Sequence, residues 1–468
     1  MTGKRKRKLA MPDTLIIVAS VVLLVAILSW IIPSGTYDYQ EMNINGRIRN
    51  VAIDGTYHTI DKSEVTTTGF LGFFSVLYRG CVEAADVIFM ILCCCGTFGV
   101  VVKTGAFHAG IGTILKKLKG KEILLVPIIM MIFGLGGSVF GMASEFYGFY
   151  PLIVGLGVAL GYDAMFGFAI IAVGEFVGFM GATLNPYSVG IAQTISGVEL
   201  YSGTGYRAIC FVIFMAISII YVMVYGRKIK KNPGASVVFG EKNIHAFDRD
   251  ELNEYSFTLK DGLVLLDVLV VLFVLMLGLI KWGWDFPQLC GLFLLMSMIA
   301  AAICKWSPNK WCSEFIDSAK TAMWGCILTG IAKAITVVMQ DAQIMDTVIY
   351  GLSNVLKNAP HAVSAQVMLV VQTLINFFIP SATGQASATM PIMAQLADII
   401  GVSRQTAVLA FQFGDGLSNI FWPTADIVII CGLGGISLQK WYKWFTPLFL
   451  ILFVTQAILL GIATGIGF

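Results

Sequence analysis

Apolar runs long enough to cross a bilayer as helices, about 20 residues each, recur along the chain, and polar or proline-bearing stretches interrupt them in four places. Residues 13–32, 82–103, 207–225, 261–280, 287–304, 319–339 and 444–466 read as uninterrupted spans. Residues 123–140 and 146–160 flank the tip Gly141-Met-Ala-Ser-Glu145, and residues 364–379 and 389–400 flank a second polar tip at 381–387. Small and hydroxylated residues there would leave backbone groups unpaired in lipid, so each tip must be buried in protein or line a watery cavity. Both units read as re-entrant hairpins, over 122–161 and 364–400. The runs 164–195 and 404–434 carry breaks at Gly181-Ala-Thr-Leu-Asn-Pro186 and Trp422-Pro423-Thr424. Proline there removes a backbone donor and clashes with the preceding turn. The pattern predicts an all-α polytopic membrane protein of about nine transmembrane helices plus two hairpins.

The two hairpins echo each other. A shift of 240 positions lays Pro151 on Pro391, Leu156 on Leu396, Gly161 on Gly401 and Gly174 on Gly414, and sets the acids Glu175 and Asp415 side by side. Two copies of a broken-helix unit point to a secondary transporter with its site between them. The chain then divides into a basic segment and first span at 1–33, an outer loop at 34–80, a first repeat at 81–226, a connection at 227–260 and a second half at 261–468. The extra span in the second half makes its hairpin enter from the opposite side, so the repeats are inverted.

Composition agrees with a membrane-embedded chain: of 468 residues, 57% are hydrophobic and 13% charged. The basic clusters at 4–8, 116–121 and 227–231, with Lys305, Lys310, Lys440 and Lys443, all fall on one side of this topology, which sets the N-terminus in the cytoplasm of an inner-membrane protein. The first apolar run reads as a retained span, since it is long and no small-residue cleavage pattern precedes Pro33. An alternating run at 47–53, between Asn45-Gly46 and Asp54-Gly55, fits a small outer hairpin with no chemistry of its own. Residues 106–118 read as an amphipathic helix along the inner interface. The ten cysteines form no Cys-x-x-Cys and lie apart from the four histidines, so neither a metal site nor a disulfide framework is expected. There is no His-Glu-x-x-His, Gly-x-Ser-x-Gly or P-loop pattern, which argues against an enzyme. No cofactor and no nucleic-acid partner are expected.

The candidate chemistry lies at the tips and breaks. Ser144 and Glu145 occupy the first tip, and Ser381, Thr383, Gln385 and Ser387 the second. Thr183 and Asn185 lie in the first break, Thr424 and Asp426 at the second, and Asp415, Asn419 and Trp422 share one helical face upstream of it. Hydroxyls, freed carbonyls and half-helix N-termini suit a dehydrated sodium ion or a substrate carboxylate. An acid inside a span is costly and marks an ion or substrate path by default, which makes Glu175 a candidate for coupling to sodium or protons. The alternative is structural: small residues permit close helix packing, and the acids bond a neighbouring helix end or a base such as Lys103 or Lys333. Glu145, Glu175, Asp415 and Asp426 against Arg404 alone in the hairpin and broken-span units suit a cation, or a zwitterion with a basic side chain.

The Ile-Pro-Ser-Ala-Thr-Gly-Gln-Ala tip with Met390-Pro391, the Phe140-Gly-Met-Ala-Ser-Glu145 tip, Gly414-Asp415 with Asn419, and Val102-Lys-Thr-Gly-Ala-Phe107 resemble the YfcC-type carriers. These belong to the grouping named for anaerobic four-carbon dicarboxylate carriers (DcuC-like), inside the ion-transporter superfamily. The resemblance covers nearly the whole chain. It implies a homodimer with a scaffold domain and a mobile transport domain that carries both hairpins and both broken helices in an elevator motion. It also implies a small charged metabolite as substrate, with arginine/ornithine exchange and sodium- or proton-coupled dicarboxylate uptake both represented among relatives. The tip reads Pro380-Ser381-Ala382-Thr383, without the serine-asparagine-threonine signature of the sodium-dicarboxylate branch, which argues against a dicarboxylate substrate and two sodium sites, while the charge inventory favours a basic amino acid. An ion channel and a membrane-embedded enzyme are the readings from other classes.

Overall fold

The computed structural model describes residues 13–44, 47–118, 122–241, 245, 257–357 and 363–468. The basic residues at 4–8, the Asn45-Gly46 turn, Lys119 and Lys121, and most of the connection beyond 241 lie outside the described residues.

The first half runs α1 (Thr14–Ile31), α2 (Phe70–Glu83), α3 (Ala85–Lys103) and α4 (Ala106–Leu118). Then come α5 (Leu125–Leu135) and α6 (Phe149–Ala159) around a tip, α7 (Ala164–Met180) and α8 (Val189–Ile195) around a break, and α9 (Thr204–Lys231). The second half brings α10 (Leu259–Lys281), α11 (Phe286–Ile303), α12 (Pro308–Lys320), α13 (Met323–Asp341) and α14 (Met345–Lys357). It then repeats the order of the first: α15 (Ser364–Phe378) and α16 (Ala382–Ile399) around a tip, α17 (Arg404–Ser418) and α18 (Asp426–Gly434) around a break, and α19 (Leu438–Gly465). Among the described residues, seven helices (α1, α3, α9, α10, α11, α13 and α19) are long and apolar enough to cross a membrane.

Caps written into the sequence start many of these helices. Thr258 and Asp261 form a capping box on α10, Asp285 and Gln288 another on α11, and the side chains of Asp163, Ser307 and Ser403 cap α7, α12 and α17. Each satisfies backbone donors that a helix start leaves unpaired.

Two groups of helices pack separately and then meet. In one, α2 lies along α13, α3 along α11 and α12, α1 along α13, and α10 along α11. In the other, both arms of each tip unit flank the broken helix of their own half: α5 and α6 on α7, α15 and α16 on α17. The halves interlock inside this second group, where α16 crosses to α8, α18 to α6, and α7 lies against α17. That last crossing is very close: a Cβ on Gly416 would stand 2.4 Å from Met180 Cα, so only glycine fits. All of α7 and most of α17 are buried, whereas α9 and α10 present exposed Ile209, Ile220, Leu266 and Leu269 outward. Apolar all-round helices belong inside a large core; exposed apolar faces on long helices suit lipid.

Three expectations need correction. The second polar tip is not a loop over 381–387: only residues 379–381 leave the helix, because Pro380 ends α15 and the Ser381 hydroxyl caps α16 by accepting from Gly384 N–H. The outer loop ends earlier than residue 80, since α2 begins at Phe70 and packs on α13, where a Cβ on Gly80 would meet the Gly330 carbonyl. Helices α12 and α14 were not expected; both are amphipathic and too short to register as spans.

The outer loop does form strands. β1 (Ser34–Thr36) pairs antiparallel with β4 (His58–Ile60), and β2 (Tyr39–Ile44) with β3 (Arg47–Ala52). Asp346, at the start of α14, fastens them by accepting from Tyr37 N–H at 3.0 Å, the Thr36 hydroxyl at 3.1 Å and the Tyr39 hydroxyl at 2.8 Å. Burial and that carboxylate push the Tyr39 hydroxyl pKa up. β3 packs on α16, which brings the outer strands to the second tip.

Candidate functional site

A cavity of about 380 Å3 lies between the two tips. Gly141, Ala143, Ser144 and Glu145 line it from the first tip, and Ser381, Ala382 and Thr383 from the second. The first break adds Tyr187, the α10–α11 corner adds Trp284 and Asp285, and β3 adds Arg49. Cavities of this size, apolar with a few convergent polar groups, are the usual form of a small-molecule site. A larger cavity, about 470 Å3, opens beneath the connection at Asp163, Ser236 and Glu241. None of the candidate site residues named from the sequence line it, and it takes no lining from either tip, so the smaller cavity is the better candidate.

The first tip is shaped for this place. α5 ends in a π-helical turn over Gly136–Phe140, and Gly141 follows at φ 69°, where L side chains rarely go. A Cβ on Gly141 would also stand 2.3 Å from Asn185 Oδ1. Glu145 then folds back, its Oε2 accepting from Ala143 N–H at 3.0 Å, and Asp285 lines the same cavity. The second tip meets the first half directly, since the Thr383 hydroxyl donates to the Tyr187 carbonyl at 3.0 Å.

Of the residues expected from sequence, Ser144, Glu145, Ser381 and Thr383 come together in the cavity. The others bond within the tip units and breaks or between them. The Thr183 hydroxyl bonds Ser138, and Asn185 Oδ1 accepts from Tyr187 N–H at 2.9 Å and Ser188 N–H at 3.2 Å. Gln385 donates to Gln372 Oε1 at 2.7 Å, and the Ser387 hydroxyl donates to the Thr383 carbonyl one turn back on its own helix. Asn376 Nδ2 reaches the Asp415 carbonyl at 2.7 Å, Asp415 Oδ1 at 3.3 Å and Asn419 Oδ1 at 3.0 Å. The Thr424 hydroxyl donates to the Phe377 carbonyl at 2.7 Å. Glu175 Oε2 accepts from the Tyr150 hydroxyl at 2.9 Å, and Asp426 Oδ1 from the Tyr147 hydroxyl at 2.8 Å.

These partners correct the expected ones. Lys103 is paired with Glu314, not with an acid of the broken helices. Among the described residues, neither lysine nor arginine forms an ion pair with Glu175, Asp415 or Asp426. The outer loop, expected to carry no chemistry, contributes Arg49 to the cavity. Arg49 and Asp285 were missed because only packing brings them to the tips, and Tyr147, Tyr150 and Asn376 because they read as parts of the arms beside the tips. The one sequence signal was polarity out of place: Asn376 lies inside an apolar run, and Asp285 precedes one.

The helical bundle, the apolar spans and the paired tips and breaks define a multi-pass membrane transporter. The chain belongs to the DcuC, C4-dicarboxylate anaerobic carrier, family, whose model matches residues 11–465. It is 32% identical over 502 residues to YfcC of Escherichia coli (strain K12), covering 100% of this chain and 99% of that one; that protein's name gives basic amino acid antiport as a provisional assignment. It is 28% identical over 509 residues, with 99% of each chain covered, to a protein of Haemophilus influenzae (strain ATCC 51907 / DSM 11121 / KW20 / Rd) that carries no functional name. Among solved structures, the YdaH transporter of Alcanivorax borkumensis aligns over 98% of this chain and 99% of its own at 15% identity, with a TM-score of 0.44. MtrF of Neisseria gonorrhoeae, described with a class of antimetabolite efflux pumps, aligns over 97% and 96% at 16% identity, also with a TM-score of 0.44.

Proposed function

We propose that this protein is a secondary active carrier of a small charged metabolite, with basic amino acids, exchanged for one another, as the leading substrates. The observation that carries this reading is the cavity between the tips, where Glu145 and Asp285 stand with Arg49. Two carboxylates and one guanidinium complement a zwitterion with a second amino group: Arg49 faces the substrate carboxylate, and the acids face its cationic end. Ser144, Ser381 and Thr383 supply the remaining hydrogen bonds. Thr183, Asn185, Gln385, Asn419 and Thr424 act by holding the tips and breaks, Ser387 lines the helix that follows the second tip, and Asp415 and Asp426 serve the ion path. The name of the relative YfcC agrees with this substrate class.

The carrier works by an elevator motion. α5–α9 and α15–α19 form the mobile body, the remaining helices form the scaffold, and the scaffold mediates a homodimer. Seven long apolar helices and two broken ones make nine spans, with two re-entrant hairpins in inverted repeats. The N-terminus lies in the cytoplasm of an inner-membrane protein. No cofactor is required beyond a coupling ion, sodium or the proton.

A second reading, sodium- or proton-coupled uptake of a four-carbon dicarboxylate, is favoured by Arg49 and by the name of the family. Counterflow separates the two. Proteoliposomes preloaded with unlabelled arginine, ornithine, succinate or a neutral amino acid are each tested against the labelled form, with and without sodium. Arginine and ornithine exchange is the expected result; sodium-dependent succinate exchange alone would replace the first reading with the second.

A further inference from the structure

The carboxylates outside the cavity form a cluster that substrate recognition does not use. Glu175 on α7 and Asp426 at the start of α18 belong to different halves, yet each is bonded to a tyrosine of the same segment, Tyr150 and Tyr147, three residues apart after the first tip. Glu175, Tyr150 and Tyr147 are buried, and Glu175 Oε1 has no hydrogen-bond partner.

Among the described residues, no lysine or arginine forms an ion pair with Glu175 or Asp426, and His245 and Lys103 lie in a cavity against Gly148, Pro151 and Leu152 of the same segment. The ionisable groups that interact with Glu175 are Tyr150 of α6, Asp426 of α18 and Glu145 of the first tip. α5 carries no ionisable side chain, and α17 brings only Asp415 to its buried face. On α9, Tyr206 and Tyr221 bond main-chain carbonyls of α19, and Tyr225 bonds Asp163. Arg207 and Cys210 lie in the first two turns of α9, and its lysines lie in the last.

A carboxylate buried without an opposite charge is costly, and two that repel are costlier; binding a proton removes both penalties. A sodium ion would need several oxygen lone pairs turned inward. The groups aimed at these carboxylates are instead phenol O–H donors, which hold a carboxylate after its proton has left. Tyr147 also links the first tip unit to the second broken helix, so a proton taken up here is tied to the fit between the halves.

We propose that Glu175, with Asp426 and the Tyr147–Tyr150 pair, is a proton-binding site whose loading and release couple substrate movement to the proton gradient. Glu175 carries the proton, and Tyr150 positions its carboxyl group. The proposal rests on the carrier reading above, but its primary test does not require the substrate to be known.

That test is infrared difference spectroscopy of the purified full-length protein between acidic and alkaline buffer. The parent is expected to show the carbonyl stretch of a buried carboxylic acid that Glu175→Gln removes and Tyr150→Phe shifts. A band unchanged in Glu175→Gln overturns the proposal. In proteoliposomes, accumulation driven by an imposed pH gradient is expected to fall tenfold or more in Glu175→Gln, while counterflow falls far less. Accumulation that needs sodium and follows the pH gradient equally in parent and variant also overturns it. If none of the four compounds exchanges, the substrate reading fails while the infrared result still decides the proton site.

Discussion

Glu175 and Asp415 hold the same place in the two halves, each following a glycine on the helix that precedes a break, yet the structure gives them different company. Each keeps one carboxylate oxygen without a hydrogen-bond partner, and the other oxygen of Glu175 accepts from a phenol on the second arm of its tip unit. Asp415 is gripped by a carboxamide on the first arm of its own, Asn376, which also holds the Asp415 carbonyl and Asn419. An inverted repeat therefore conserves the position of an acid without conserving its chemistry. One half sets the acid against a phenol, where a proton can come and go; the other, besides serving the ion path, ties it to a hairpin arm at a break.

The largest expected effect follows from that contrast. Asn376→Ala leaves Asp415 and Asn419 without their donor in a buried site, at a cost of about 2–3 kcal/mol. Tyr150→Phe removes a single bond, at about 1 kcal/mol. Thermal unfolding in detergent should show the first variant clearly less stable than the second, and equal losses would break the comparison. Next, Asp415→Asn is expected to abolish counterflow while the protein remains folded and assembled by size-exclusion chromatography; transport equal to the parent removes this acid from the mechanism. The smallest effects belong to the second tip. Ser381→Ala and Thr383→Ala should change KM by roughly three- to tenfold, the range of one lost hydrogen bond. An unchanged concentration dependence returns both hydroxyls to a packing role.

Much of this architecture was legible in the hydrophobic pattern. Apolar runs located the long helices, the prolines marked the breaks, and the 240-residue echo aligned Glu175 with Asp415. What stayed hidden had physical reasons. α12 and α14 are amphipathic, so no apolar run announces them. The residues after Pro380 looked like a loop because they are small and hydroxylated, but a serine cap and alanines make them the first turns of a helix. The site was half visible: Ser144, Glu145, Ser381 and Thr383 could be named from the tips, whereas Arg49 reaches the cavity from an outer strand and Asp285 from a helix cap. Partners so distant along the chain leave no local signal.

The central claim is that the cavity between the tips binds the cationic end of an amino acid through Glu145. Concentration dependence of arginine counterflow in Glu145→Gln tests it most directly, because glutamine can still accept the Ala143 N–H bond that shapes the tip. The account predicts a KM raised tenfold or more, about 1.4 kcal/mol of lost binding, with the protein still folded. An unchanged KM for arginine in that variant would contradict it.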